Sequence, residues 1–111
     1  MARHTDYNPL IYTPNKRSLS RAKNKGTKAL KSYLRSCAGN YTKRKEVREL
    51  VLNRDKNQCV NCGSKSELEL DHIVSVYRGW KEGIPLESIN SIKNLQTLCR
   101  SCNARKDVIH G

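Results

Sequence analysis

Apolar side chains fall in short groups along this chain, and their spacing changes from one group to the next. Ala29, Leu30, Tyr33, Leu34 and Cys37 recur at helical steps, which predicts a helix over about 28–37 with Thr27 as its cap. Gly39-Asn40 is expected to end it. Val47, Leu50 and Val51 repeat at i, i+3 and i+4 and predict a second helix, capped by Thr42 and stopping between Asn53 and Asn57. From Leu68 the period drops to two. Leu68-Glu69-Leu70-Asp71-His72-Ile73-Val74 alternates like a strand, and Leu95-Gln96-Thr97-Leu98 reads as a second, shorter one. A last helix is expected over about 102–109. Residues 75–93 carry Gly79, Gly83 and Pro85 and read as a long loop, a feature that is often functional in a compact domain.

Residues 1–26 show no sustained apolar period. They hold Asn8-Pro9, Thr13-Pro14-Asn15 and a run of Ser, Lys, Arg and Asn. An extended or disordered basic arm is expected there, one that orders on a partner. The chain thus divides into an arm (1–26), a helical region (27–53) and a core (54–111).

Composition explains why that core needs help. The chain has 111 residues, 36% of them hydrophobic, with no Phe and one Trp. A domain this small buries too small a fraction of its surface to stand on apolar area alone. Five cysteines lie at 37, 59, 62, 99 and 102. Four form two pairs, Cys59-Val-Asn-Cys62 and Cys99-Arg-Ser-Cys102, separated by 36 residues. Four thiolates in two such knuckles suit one tetrahedral zinc ion, with a small subdomain between them. Disulfides are disfavoured by the odd count and by the absence of an apolar signal segment after Met1. No apolar run reaches the roughly 18 residues of a membrane span, so a cytoplasmic protein is expected. Cys37 reads as a helix residue with no metal role.

Charge is placed unevenly. Residues 1–48 carry 13 Lys/Arg against Asp6 and Glu46, a net of +11, while residues 49–111 carry 9 against 8 acids, a net of +1. A basic half on a nearly neutral half is the footprint of a nucleic-acid binder. An anionic membrane surface is the minor rival, weakened because the basic segment lacks a bulky apolar face. A solvated basic tail is the bland alternative.

Between and after the knuckles come Asp71-His72-Ile73, Asn94-Leu95-Gln96-x-Leu98-Cys99 and Arg100-x-Cys102-Asn103-x-x-Lys106. Together with Cys59-x-x-Cys62-Gly63, this string resembles the HNH endonucleases in their zinc-tetrad form, over about Arg54 to Lys106. One departure is Asn103, where the family often has His. The resemblance implies a small α+β fold. Its centre is a ββα-metal motif stapled by the four-cysteine zinc site, preceded by one or two helices and the basic arm. It also implies roles. His72 is the general base, Asp71 and Asn103 ligate a catalytic divalent ion through oxygen, and Asn94 tethers the loop and helps to orient His72. Oxygen ligands favour Mg²⁺ or Mn²⁺, whereas the sulfur-bound zinc has no open position for chemistry.

Asp71 and His72 are neighbours on a strand, so their side chains point to opposite faces; the resemblance implies a bend that brings both to one phosphate. Lys106, Arg100, Arg105 and Arg78 are candidate phosphate contacts, Lys106 foremost, and each is also readable as a solvated charge. Trp80 reads as packing or as a DNA contact.

The function implied is metal-dependent cleavage or nicking of DNA, with a non-catalytic zinc module that binds nucleic acid as the alternative. Small proteins of this form resemble phage and prophage nucleases, some of which work beside DNA-packaging proteins. That resemblance would place such a protein in the bacterial host cell.

Overall fold

The computed structural model describes the backbone of residues 7–110 and the side chains of residues 7–106. The first six residues of the expected arm lie outside the described residues. Helices α1 (Lys16–Lys25), α2 (Thr27–Thr42) and α3 (Lys45–Arg54) come first. Strand β1 (Leu68–His72), helices α4 (Val76–Lys81) and α5 (Leu86–Ile89), a 3₁₀ turn at Ile92–Asn94, strand β2 (Leu95–Cys99) and helix α6 (Arg100–His110) follow. The architecture is a small α+β fold, in which α6 packs on both strands of a two-stranded antiparallel sheet.

The arm is where sequence and structure part most. Residues 16–25 form α1 instead of extended chain, with Asn15 Oδ1 accepting from Ser18 N at 2.9 Å as its cap. Leu19 and Ala22 are its only apolar residues, too few to show as a period, but they pack inward beside α2. The segment before α1 is also held. Arg44 donates to Pro9 O at 2.9 Å and to Ile11 O at 3.1 Å, and the Tyr41 hydroxyl donates to Leu10 O. Tyr12 is buried edge-on against Tyr41, with ring centres 6.2 Å apart.

The end of α2 also differs from expectation: the helix runs through Gly39-Asn40 to Thr42. Glycine inside a helix costs roughly 0.5–1 kcal/mol against alanine. Fully burying a large apolar side chain contributes about 1.5–3 kcal/mol, and Tyr41, just past Gly39, is fully buried. Burial wins. Thr42 consequently closes α2, its hydroxyl donating to Gly39 O at 3.0 Å, and Arg44 is the residue at the start of α3.

The hairpin register sets Leu68 opposite Cys99, Leu70 opposite Thr97, Asp71 opposite Gln96 and His72 opposite Leu95. β1 stops at His72, two residues short of the expected strand, and the chain bends at Ile73 and Val74. The 75–93 connection is not irregular: it contains α4, α5 and the 3₁₀ turn. Gly79 lets α4 lie against α5, since a Cβ there would stand 2.9 Å from Ile89 Cδ1. One core joins the helical region to this connection and to β2, through Tyr12, Leu34, Tyr41, Val47, Val51, Leu86, Ile89 and Leu95. Trp80 and Cys37 pack at its margin. Among the described residues no helix is long and apolar enough to cross a membrane.

Candidate active site

The two knuckles meet at one point. The sulfurs of Cys59, Cys62, Cys99 and Cys102 all lie within 4.8 Å of one another, and Cys37 is not among them. Cys62 Sγ and Cys99 Sγ are 3.7 Å apart. Sulfurs about 2.3 Å from a tetrahedral zinc ion would be about 3.8 Å apart, so the cluster fits that ion. The hairpin builds it locally: β2 ends at Cys99, α6 carries Cys102, and Val60 N donates to Thr97 O at 2.9 Å to dock the first knuckle on the sheet.

The chemistry of the four sulfurs points the same way. Burial raises the pKa of Cys59, but backbone N–H groups of Cys99, Cys62 and Asn61 outweigh it and bring the thiol down to about 6. The Asn61 amide lowers that of Cys102, and Asn61 Nδ2 and Arg105 Nη2 each sit 3.2 Å from its sulfur. Cys62 is drawn down by Ser64 N–H, but the neighbouring sulfurs prevail and push it up to about 11. Sulfurs that compete for protons in this way are relieved by a divalent cation.

The face of β1 turned to α6 carries two carboxylates, because Glu69 and Asp71 are two residues apart on a strand. Asp71 Oδ2 accepts from Lys106 Nζ at 2.7 Å and from Gln96 Nε2, its partner in the register, at 2.9 Å. Lys106 also donates to His72 O at 2.6 Å, so its ammonium is engaged inside the protein. Asn103, in the first turn of α6, donates its amide to Glu69 Oε1 at 2.8 Å. Arg100 Nε reaches Glu69 Oε2 at 3.5 Å. Asp71 and Asn103 thus share this face without a hydrogen bond between them. Asp71 Oδ1 and Asn103 Oδ1 have no hydrogen-bond partner among the described residues, and two such oxygens are the donor type that a hard divalent ion takes.

His72 looks the other way. Its Nε2 lies 2.8 Å from Oδ1 of Asn90, the fully buried residue that ends α5. With the amide oxygen as acceptor, Nε2 carries the proton of the neutral ring and Nδ1 keeps its lone pair. Burial lowers the pKa of His72, outweighing the opposing pull of Asn90 and Asp71, and Lys106 lowers it further. Asn94 does not touch the ring. Its Oδ1 accepts from Val74 N at 2.9 Å, and its Nδ2 donates to Val74 O and Ile89 O at 3.0 and 2.9 Å. It therefore ties the bend after β1 to the end of α5, next to Asn90.

Of the remaining residues named from sequence, Arg105 borders the sulfur cluster and Arg78 pairs with Glu82 at 3.0 Å on the exposed face of α4. Trp80 is partly buried, with Lys23 Nζ 5.7 Å above its ring. Glu69 was legible as a same-face neighbour of Asp71 two positions earlier. Asn90 carried no signal, since an asparagine in a connection reads as a cap.

Residues 59–108 match the family model described as HNH endonuclease. A protein of Lactococcus phage SK1 bearing the name "Probable HNH endonuclease" is 39% identical over 62 residues, covering 54% of this chain and 64% of that protein. The chain therefore spans less than two thirds of that relative's length. No solved structure matches.

Proposed function

We propose, for a chain whose residues 59–108 match the HNH endonuclease family model, a metal-dependent DNA endonuclease that hydrolyses phosphodiester bonds with His72 as general base. The observation that carries this reading is the hydrogen bond from His72 Nε2 to buried Asn90, which leaves Nδ1 free to accept a proton. A depressed pKa keeps that ring neutral at pH 7, as a base must be. A water gives its proton to Nδ1 while its oxygen attacks phosphorus. The bond from phosphorus to the 3′ oxygen breaks, and that oxygen takes a proton from solvent, leaving a 5′ phosphate and a 3′ hydroxyl.

Asn94 and Asn90 act as positioning residues. The first fixes the backbone just past His72, and the second fixes the ring. Asp71 and Asn103 would hold the divalent ion, Mg²⁺ or Mn²⁺ by their oxygen chemistry. When bound, that ion neutralises charge developing on the phosphate. Lys106 and Gln96 orient the Asp71 carboxylate. The four-cysteine cluster, with zinc, holds β2 and the start of α6 in place and takes no part in the reaction.

The test uses supercoiled plasmid with Mg²⁺ or Mn²⁺ added or omitted, and zinc content measured in every sample. Nicked or linear plasmid is expected only with the added ion. His72→Ala should cut about 10²–10⁴-fold more slowly at unchanged zinc content and DNA affinity. Equal rates for the two proteins would remove His72 as the base. Tight DNA binding with no cleavage under any ion would leave a zinc-containing binding module.

A further inference from the structure

We propose that the cleft between α2 and α4 is a phosphate-backbone site for double-stranded DNA, gripping the duplex beside the stretch being cut. This rests on the nuclease reading for its choice of duplex. The cleft encloses about 560 Å³ and is lined by Lys31 and Arg35 of α2 and by Ser75, Tyr77, Arg78 and Lys81 at α4. Lys31 and Arg35 are one turn apart, so both project from the same side of α2. Two ammonium groups lie over Tyr77, with Lys31 Nζ at 4.7 Å and Lys81 Nζ at 5.7 Å from its ring centre.

The positive charge there is uncompensated. Glu82 is the one carboxylate on the lining, and it is taken by Arg78 at 3.0 Å. Lys31, Arg35 and Lys81 form no ion pair among the described residues. Besides Lys31 and Arg35, α1 and α2 carry six more Lys/Arg and no acid, and none of the six is ion-paired among the described residues. A polyanion relieves this crowding of like charge.

The lining also selects the kind of polyanion. Its single aromatic ring lies under two cations, so it offers no platform on which successive unpaired bases could stack. Val76 is its one aliphatic residue and is half-buried, so nothing there would enter a bilayer. Cations on an open groove suit the outer strand of a duplex, contacted through phosphates without reading bases. Position agrees: Ser75 stands three residues beyond His72, and α4 starts from the bend that Asn94 pins.

The experiment measures binding of a labelled duplex of about 30 base pairs, without added divalent ion, over about 50–200 mM salt. The proteins are wild type, the three single variants Lys31→Gln, Arg35→Gln and Lys81→Gln, and the triple variant. Each lost phosphate contact should shrink the slope of log affinity against log salt by about 0.9, so the triple variant should lose about 2.7. The loss should be the same for unrelated duplex sequences. All three side chains are exposed, so melting temperature and zinc content should not move; the single variants keep the test open if the triple variant misfolds. An unchanged slope overturns the proposal. So does a variant that loses binding to anionic phospholipid vesicles while keeping its duplex slope. Wild-type plasmid cleavage, run alongside, separates the two readings. Cleavage with an unchanged slope sinks the cleft alone, and a reduced slope without cleavage supports the cleft while the nuclease reading falls.

Discussion

Leu34, Tyr41, Val47 and Val51 lose all contact with solvent in one core, whereas a second core consists, among the described residues, of Cys59, Cys99, Cys102 and Leu98 with Leu68 packed at its edge. The first joins three helices to the α4–α5 connection and stands on buried carbon. The second has a single fully apolar member among its buried residues. Burying Leu98 contributes about 1.5–3 kcal/mol, far less than the about 10–16 kcal/mol that structural zinc supplies in small fingers. The candidate site is anchored at both. Asp71 and His72 lie on a strand that starts at the sulfur cluster and ends against the carbon core, so both anchors bear on them.

Breaking the sulfur end should have the largest effect. Removing zinc, or Cys99→Ser, should cost as much as the whole stability of a typical domain, about 5–15 kcal/mol, and so collapse the hairpin and α6. Circular dichroism with a zinc assay measures this; a well-folded, zinc-free Cys99→Ser protein would contradict the comparison. Breaking the carbon end is milder. Leu34→Ala should cost about 2–5 kcal/mol, read as a lower unfolding midpoint, with zinc affinity unchanged because Leu34 belongs to the other core. A parallel loss of zinc affinity would mean that the two cores unfold as one.

The smallest test cuts the tie between them. Asp55, at the end of α3, accepts from Thr97 N on β2 at 2.9 Å and pairs with Arg54, whose guanidinium reaches Leu95 O at 2.7 Å. Asp55→Ala strips a partner from a buried backbone N–H and should cost about 1–3 kcal/mol. Arg54 beside it, with Thr97, holds the Asp55 carboxyl below its ordinary value of 3.8, against the opposing effect of burial. A depressed carboxyl stabilises fully above its unfolded pKa and loses that contribution as pH falls through the folded one. The gap between wild type and Asp55→Ala should therefore stay constant from pH 7 to about pH 5. A gap that closes within that range would assign the effect to another group.

Much of this molecule is legible in its local sequence. The two C-x-x-C knuckles, the alternation that makes β1, the helical steps of α2 and α3, and the order of Asp71, His72, Asn94 and Asn103 all follow from spacing or motif. The knuckles, the alternation and the helical steps survive because they depend on residues a few positions apart, where backbone geometry decides who can meet, whereas the order of the site residues was read from the family resemblance. Tertiary packing decided the rest. The α1 helix needs the surface of α2, since Leu19 and Ala22 alone cannot hold it. Gly39 stays helical because Tyr41 is buried against Tyr12, whose segment is pinned by Arg44. Asn90 meets His72 across 18 positions of chain, and Lys106 meets Asp71 across 35. No pattern in the intervening sequence encodes either meeting, because each partner is delivered by a different packed element.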